Sequence, residues 1–220
     1  CTRALGSYRS GERFEPEPTH SPQAEPRVDL LSRKTEQANF CLGLPALAYT
    51  DSDRRPLQVL NSVLGSGMAS RLFQAIREER GLAYSVFSYT NEFNDAGNWV
   101  IYGGVETNKV YAAIAACLAE LRKLRDEGIT EEELQRVKEQ FKGSTLIGLE
   151  DTLSVVSRNG SHIMRYNKVV PVEQFVAEIA AVTQEDVLRV AQRLIKPDAL
   201  YLTVIGPYEN ERTFTDLLTI

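Results

Sequence analysis

Apolar residues in this chain keep two rhythms. Between residues 27 and 47, and again between 82 and 105, they gather in short runs: "VDLL", "ANFCLGLPAL", "AYSVFSY" and "WVIYGGV". Runs of this length, bounded by polar or turn-forming clusters, predict strands. The polar "RKTEQ" separates the first two, giving a pair of strands, and "NEFNDAGN" turns the chain between the next two, giving an antiparallel pair. A last run, "ALYLTVIGP", predicts a final strand.

Elsewhere the apolar spacing is three or four. Leu57, Leu60, Val63 and Leu64 form the buried stripe of a helix that Asp51 or Asp53 can cap, that tolerates Pro56 in its first turn, and that Gly65 ends. A short helix is expected over "RLFQAIREER", stopped by Gly81. Thr107 can cap a longer one with Val110, Ile114, Cys117, Leu118, Leu121 and Leu124 inward and Gly128 at its end. Thr130 with Glu133 spells a capping box for a helix that places Leu134, Val137 and Phe141 inward, with Gly143 and Gly148 loosening its end. Helices over "LEDTLSVVSRNGSHIMRY" and "PVEQFVAEIAAV" follow; Thr183 with Asp186 opens another, with Val182 and Val187 as a hydrophobic staple.

These elements predict an α+β fold, a mostly antiparallel sheet with helices packed on one face. Residues 9–26 carry four prolines and many charges with almost no apolar pattern, so residues 1–26 read as a linker or disordered tail. The domain then runs over 27–207, with 208–220 as a C-terminal extension. Cys1 in place of an initial Met reads as a segment of something longer.

Composition narrows the function. With 220 residues and 43% hydrophobic content the chain can bury one sizeable core. A formal net charge of -5 provides no basic field for nucleic acid or anionic lipid. No apolar stretch reaches the roughly 18 residues of a membrane span. Three cysteines, Cys1, Cys41 and Cys117, cannot form a disulfide framework and point to a reducing, cytoplasm-like compartment. Cys41 and Cys117 fall in apolar runs and read as buried small hydrophobes; Trp99 reads as core.

Three stretches could carry chemistry. "GSGMASR" has the glycines of a phosphate cradle, but a helix precedes it and Met68 stands where a Walker loop needs Lys, so a helix-to-helix connector is the better reading. His20 and His162 are too far apart in sequence to be arranged with a carboxylate around zinc, so no metal and no cofactor is expected in this chain. Arg77, Glu78, Glu79 and Arg80 read first as a solvated helix face. Yet Arg77 closes a helix and Tyr84 opens a strand, with Gly81 free to reverse the backbone between them. Such a bend can turn a guanidinium and a phenol to one side, as donors for a peptide carbonyl or a developing oxyanion.

The stretch "LGSGMASRLFQAIREERGLAYSVFSY", with "TDSDRRPLQVLNSVLG" before it and "GITEEELQRVKEQFKGS" and "ALYLTVIG" after it, resembles the C-terminal half of the pitrilysin/insulinase family of zinc metallopeptidases, in the branch similar to the mitochondrial processing peptidase. The likeness runs from about Arg27 to Pro207. It implies that zinc and the general base belong to a complementary half or subunit bearing H-x-x-E-H, a motif absent from these residues. It further implies that Arg77 and Tyr84 contact peptide substrate and help stabilise the transition state in a closed chamber, and that this chain alone is inactive. The tail is then what joins two similar halves. A non-catalytic partner or scaffold subunit of the same fold is the alternative. An isolated half would expose an apolar inner face, which a homodimer would cover.

Overall fold

The inward positions of the strands explain the architecture. In β2 (Gln37–Ala46), Ala38, Phe40, Leu42 and Leu44 are buried at every second residue. β4 (Gly97–Glu106) sets Ile101 and Trp99 opposite Leu42 and Leu44, and β5 (Tyr201–Gly206) sets Leu202 and Val204 opposite Leu42 and Phe40. Register is therefore fixed by burial, since a one-residue slip would turn this whole set to solvent. β1 (Arg27–Ser32) and β3 (Ala83–Glu92) are the edges of a five-stranded sheet of order β1-β5-β2-β4-β3. The computed structural model describes residues 6–7, 11–12, 17–19, 23 and 25–219. The linker reading of residues 1–26 thus falls largely outside the described residues, as do Cys1 and His20.

The helices cover one face of this sheet, which gives the expected α+β arrangement. They are α1 (Arg54–Gly65), α2 (Val110–Glu127), α3 (Glu131–Gly148), α4 (Thr152–Tyr166), α5 (Val172–Ala180), α6 (Gln184–Leu194) and the short α7 (Glu211–Thr215). α1 is the central one: it packs on β3 and against α3, α5 and α6. Its Leu57, Leu60, Val63 and Leu64 are fully buried, each at about 1.5–3 kcal/mol of transfer free energy. All six apolar stripe positions of α2 are buried as well. Between α1 and the sheet lies a polar knot, in which the Asn61 side-chain carbonyl accepts from Trp99 Nε1 at 2.9 Å and from Ser88 Oγ at 2.8 Å. The extension after 207 folds back onto this core, burying Phe214 and Leu218.

Several local expectations change. The two strands of residues 27–46 are not neighbours. β5 lies between them, parallel to β1 and antiparallel to β2, so the polar link at 33–36 spans a strand rather than closing a hairpin. Asp53 makes no side-chain cap bond to α1. Both aspartates serve ion pairs instead: Arg189 Nη1 is 2.7 Å from Asp53, and Arg193 is 2.9 Å from Asp51 and 3.0 Å from Asp53. Thr107 does not cap α2; a 3₁₀ turn, Thr107–Lys109, intervenes. Gly143 lies inside α3 rather than loosening its end. Cys41 is only half-buried, because its parity opposes Phe40 and Leu42 and turns it to the open face of the sheet. Cys117 is buried, and burial pushes its thiol far above the ordinary value. The capping boxes Thr130/Glu133 and Thr183/Asp186 are both formed.

Candidate functional site

The stretch from Gly65 to Tyr89 is held by anchors at each step. The Ser70 hydroxyl donates to the Gly67 carbonyl at 2.7 Å, closing the glycine turn as a helix connector. Arg71 then forms a bidentate pair with Glu133, both bonds 2.7 Å, and reaches the Gly128 carbonyl at 3.0 Å. Burial pushes the Glu133 carboxyl up, but the Arg71 guanidinium and the Thr130 N–H outweigh it and hold the group below its ordinary value of 4.5. Leu72 and Ile76, four residues apart, are both fully buried.

The segment that follows is not the ordinary short helix expected from its spacing. Phe73–Glu78 is π-helical, with the Glu79 N–H bonded to the Gln74 carbonyl five residues back at 2.9 Å. A widened turn of this kind is concentrated at functional sites. Gly81 takes φ +56°, the left-handed region, and the chain reverses there. The Leu82 N–H returns to the Ile76 carbonyl at 2.8 Å, and Lys109 Nζ donates to the Gly81 carbonyl at 3.2 Å.

β3 then opens on a bulge. Ala83 pairs with Val105 and Ser85 with Gly104, leaving Tyr84 as the extra residue. The bulge lets Tyr84 and Ser85 both turn from the core before Val86 points back in. Tyr84 is 77% exposed. The Arg77 guanidinium carbon lies 5.7 Å from the centre of the Tyr84 ring and 4.9 Å from that of Phe73. Its nearest carboxylate, on Glu78, is 3.9 Å away, beyond hydrogen-bond distance. Among the described residues the Tyr84 hydroxyl has no hydrogen-bond partner. The bend therefore presents a guanidinium and a phenol on one side with their donors uncommitted.

Sequence reasoning missed three contributors: Phe73 beneath Arg77, Lys109 on the bend, and the aromatic face beside it. Phe87 packs against Tyr102 at 5.1 Å and Tyr89 at 6.1 Å on the open side of the sheet, and Tyr102 donates to Asn39 Oδ1 at 2.7 Å. A signal for the bulge was present, since the buried Ala83 and Val86 are three apart, which breaks the period of two. Among the described residues no group of three or more His, Cys, Asp or Glu could hold a metal ion. His162 sits on α4, where its Nδ1 accepts the Val170 N–H at 3.2 Å.

One five-stranded sheet layered on one side by helices defines the class, a two-layer α+β domain. The chain belongs to the Peptidase M16 inactive domain family, whose pattern it matches over residues 2–141. It is similar to an uncharacterized zinc protease of Streptomyces coelicolor, 43% identical over 192 residues that make up 86% of this chain and 41% of that protein. An uncharacterized zinc protease of Bacillus subtilis is 40% identical over 83% of this chain and 45% of its own length. The chain thus spans less than half the length of these relatives. Among solved structures, a protease from Helicobacter pylori shares the fold with a TM-score of 0.84 at 21% identity, over 94% of this chain and 50% of that one. A peptidase M16 inactive domain from Pseudomonas fluorescens does so with a TM-score of 0.80 at 20% identity, over 92% of this chain and 48% of that one.

Proposed function

We propose that this chain is the substrate-binding, non-zinc half of a zinc-dependent metalloendopeptidase that cuts peptides or unfolded segments in a closed chamber. Arg77 and Tyr84 contact the peptide backbone and donate to the oxyanion that develops during cleavage. The observation that carries this is the convergence of two uncommitted donors at one exposed bend, 5.7 Å apart from guanidinium to ring. Fixed donors aimed at developing charge need no reorganisation during reaction, which is why such a pair accelerates hydrolysis. Phe73 and the π-turn set the guanidinium, the bulge sets the phenol, and Lys109 ties the bend. Zinc supplies the hydrolytic chemistry and is held by a complementary half or subunit; the residues described here do not gather as its ligands. The peptide substrate and that complementary half are the partners.

The test is peptide hydrolysis by this chain joined to its zinc-bearing half, with and without Arg77→Ala and Tyr84→Phe. Wild-type turnover in both variants would remove the pair from the mechanism. The family's own description as an inactive domain favours a second reading, a scaffold subunit that keeps the fold without the chemistry. Under that reading the same variants change nothing. The isolated chain pairs with itself through its open, aromatic-bearing sheet face, which light scattering would detect as a dimer. Among the described residues no helix is long and apolar enough to cross a membrane, and we assign the chain to a reducing, cytoplasm-like compartment.

A further inference from the structure

A cavity of about 400 Å³ opens at the other end of β3 from Tyr84, between α4, the end of α3, the start of α1 and Glu92. The eight residue steps from Tyr84 to Glu92 put it roughly 26 Å from the Arg/Tyr bend at the rise of an extended strand. On α4, Arg158, His162 and Arg165 stand at i, i+4 and i+7, a single stripe of the helix, and all three line this cavity. Arg55 of α1 faces them across it.

These cations are not all neutralised. Arg55 is paired with Glu178 at 2.7 Å. Among the described residues Arg158 donates only to neutral acceptors, the Val170 carbonyl at 2.6 Å and Asn159 Oδ1 at 3.5 Å. Arg165 meets the Tyr49 ring at 5.6 Å, and among the described residues neither it nor Arg158 forms an ion pair. Because His162 Nδ1 accepts from Val170, the neutral ring carries its proton on Nε2, which has no protein acceptor among the described residues. Burial first, and then Arg158, Arg55, Arg54 and Arg165, hold this imidazole below its ordinary value, as a positive field does. Glu92 is the one carboxylate on the wall among the described residues. A concentration of cations like this stands out in a chain of formal net charge -5.

We propose that this cavity binds a small oxyanion of two or more charges, a phosphate group or a dicarboxylate, through Arg158, Arg165 and the His162 Nε2–H. Guanidinium groups match the planar spread of oxyanion lone pairs, and the volume suits a small molecule rather than a polymer segment. Occupancy also matters to the fold. No residue of α4 is fully buried, and beyond the edge-on packing of Tyr166 against Tyr49 at 5.5 Å its inward side is half-exposed, so an anion held on its stripe steadies the helix there. This site goes beyond the peptidase reading and does not depend on it.

The experiment is calorimetric titration of the 220-residue chain with inorganic pyrophosphate and, separately, with succinate, at constant ionic strength. Saturable one-to-one binding of at least one anion is expected, and the tighter arm identifies the source chemistry. Arg165→Gln, which breaks no hydrogen bond in the fold, weakens binding by about tenfold or more, the scale of a charge-assisted hydrogen bond. Glu92→Gln acts in the opposite direction and tightens it. Hydrogen exchange of the α4 amides slows when the anion is bound. Absence of saturable heat with both anions overturns the proposal, and so does affinity indifferent to Arg165→Gln and Glu92→Gln. Those two variants decide the matter even if Arg158→Gln loosens α4.

Discussion

The Arg77 guanidinium carbon stands 5.7 Å from the centre of the Tyr84 ring, although a π-turn, a left-handed glycine and a bulge lie between the two residues. Neither side chain is needed by the core. Arg77→Ala and Tyr84→Phe should therefore leave the thermal midpoint nearly unchanged while lowering peptide turnover of the assembled enzyme by about 10²-fold each, the scale of losing one oxyanion donor. Turnover with a quenched peptide, read beside a melting curve, checks both halves of this expectation.

Two glycines separate strain from crowding. Gly81 has open space where a Cβ would go, but its φ of +56° makes Gly81→Ala costly by about 1–2 kcal/mol through backbone conformation alone. Gly65 has no such strain. A Cβ there would stand 2.3 Å from the Ser88 backbone nitrogen, so Gly65→Ala must push α1 off β3, at about 1–3 kcal/mol or more. Asn should rescue position 81 and not position 65, measured as denaturant midpoints.

Asn61 joins α1 to the sheet by accepting from both Trp99 and Ser88. Replacing it with Leu strands the Trp99 Nε1–H, while the Ser88 hydroxyl keeps the backbone carbonyl of residue 61 at 3.3 Å, and the loss should be about 1–3 kcal/mol, more than an exposed Asn→Leu change elsewhere. Adding Ser88→Ala to Asn61→Leu should recover none of that loss, because the Ser88 hydroxyl still has its acceptor in the backbone carbonyl of residue 61. A double-mutant cycle by chemical denaturation reads this directly.

The Arg71–Glu133 pair predicts a pH dependence with a definite sign. Glu133 titrates lower in the folded chain than its ordinary 4.5, so its ionised form stabilises the fold above that value. The contribution is lost as pH falls below 4.5 through the lower folded value. Near neutral pH, Glu133→Gln should cost about 1–2 kcal/mol, discounted for partial solvent exposure, and the gap from wild type should close as the solution is acidified. A gap that stays constant into acid would show that the carboxylate charge contributes nothing.

Much of the fold was legible because its signals are local. The α2 stripe from Val110 to Leu124 and the alternation of β2 each arise from a rhythm within a few residues. Both capping boxes could be read from Thr and an acid three positions on. Reading failed where a local signal met a distant competitor. Asp51 and Asp53 sit where caps belong, yet Arg189 and Arg193, well over a hundred residues later, claim their oxygens. The π-turn escaped because its composition is that of an ordinary helix; burying Leu72 and Ile76 while Arg71 is pinned to Glu133 is a tertiary demand.

The same division holds for function. The sequence by itself determined which residue types stand on either side of Gly81, and which strands and helices carry them, since these depend on covalent order and on periodic burial. Only tertiary structure decided that β5 enters between β1 and β2, that Tyr84 occupies a bulge facing Arg77, and that the α4 stripe of Arg158, His162 and Arg165 confronts Arg55. Those placements bring together groups far apart along the chain, and packing around one shared core, rather than any local preference, sets the distance between them.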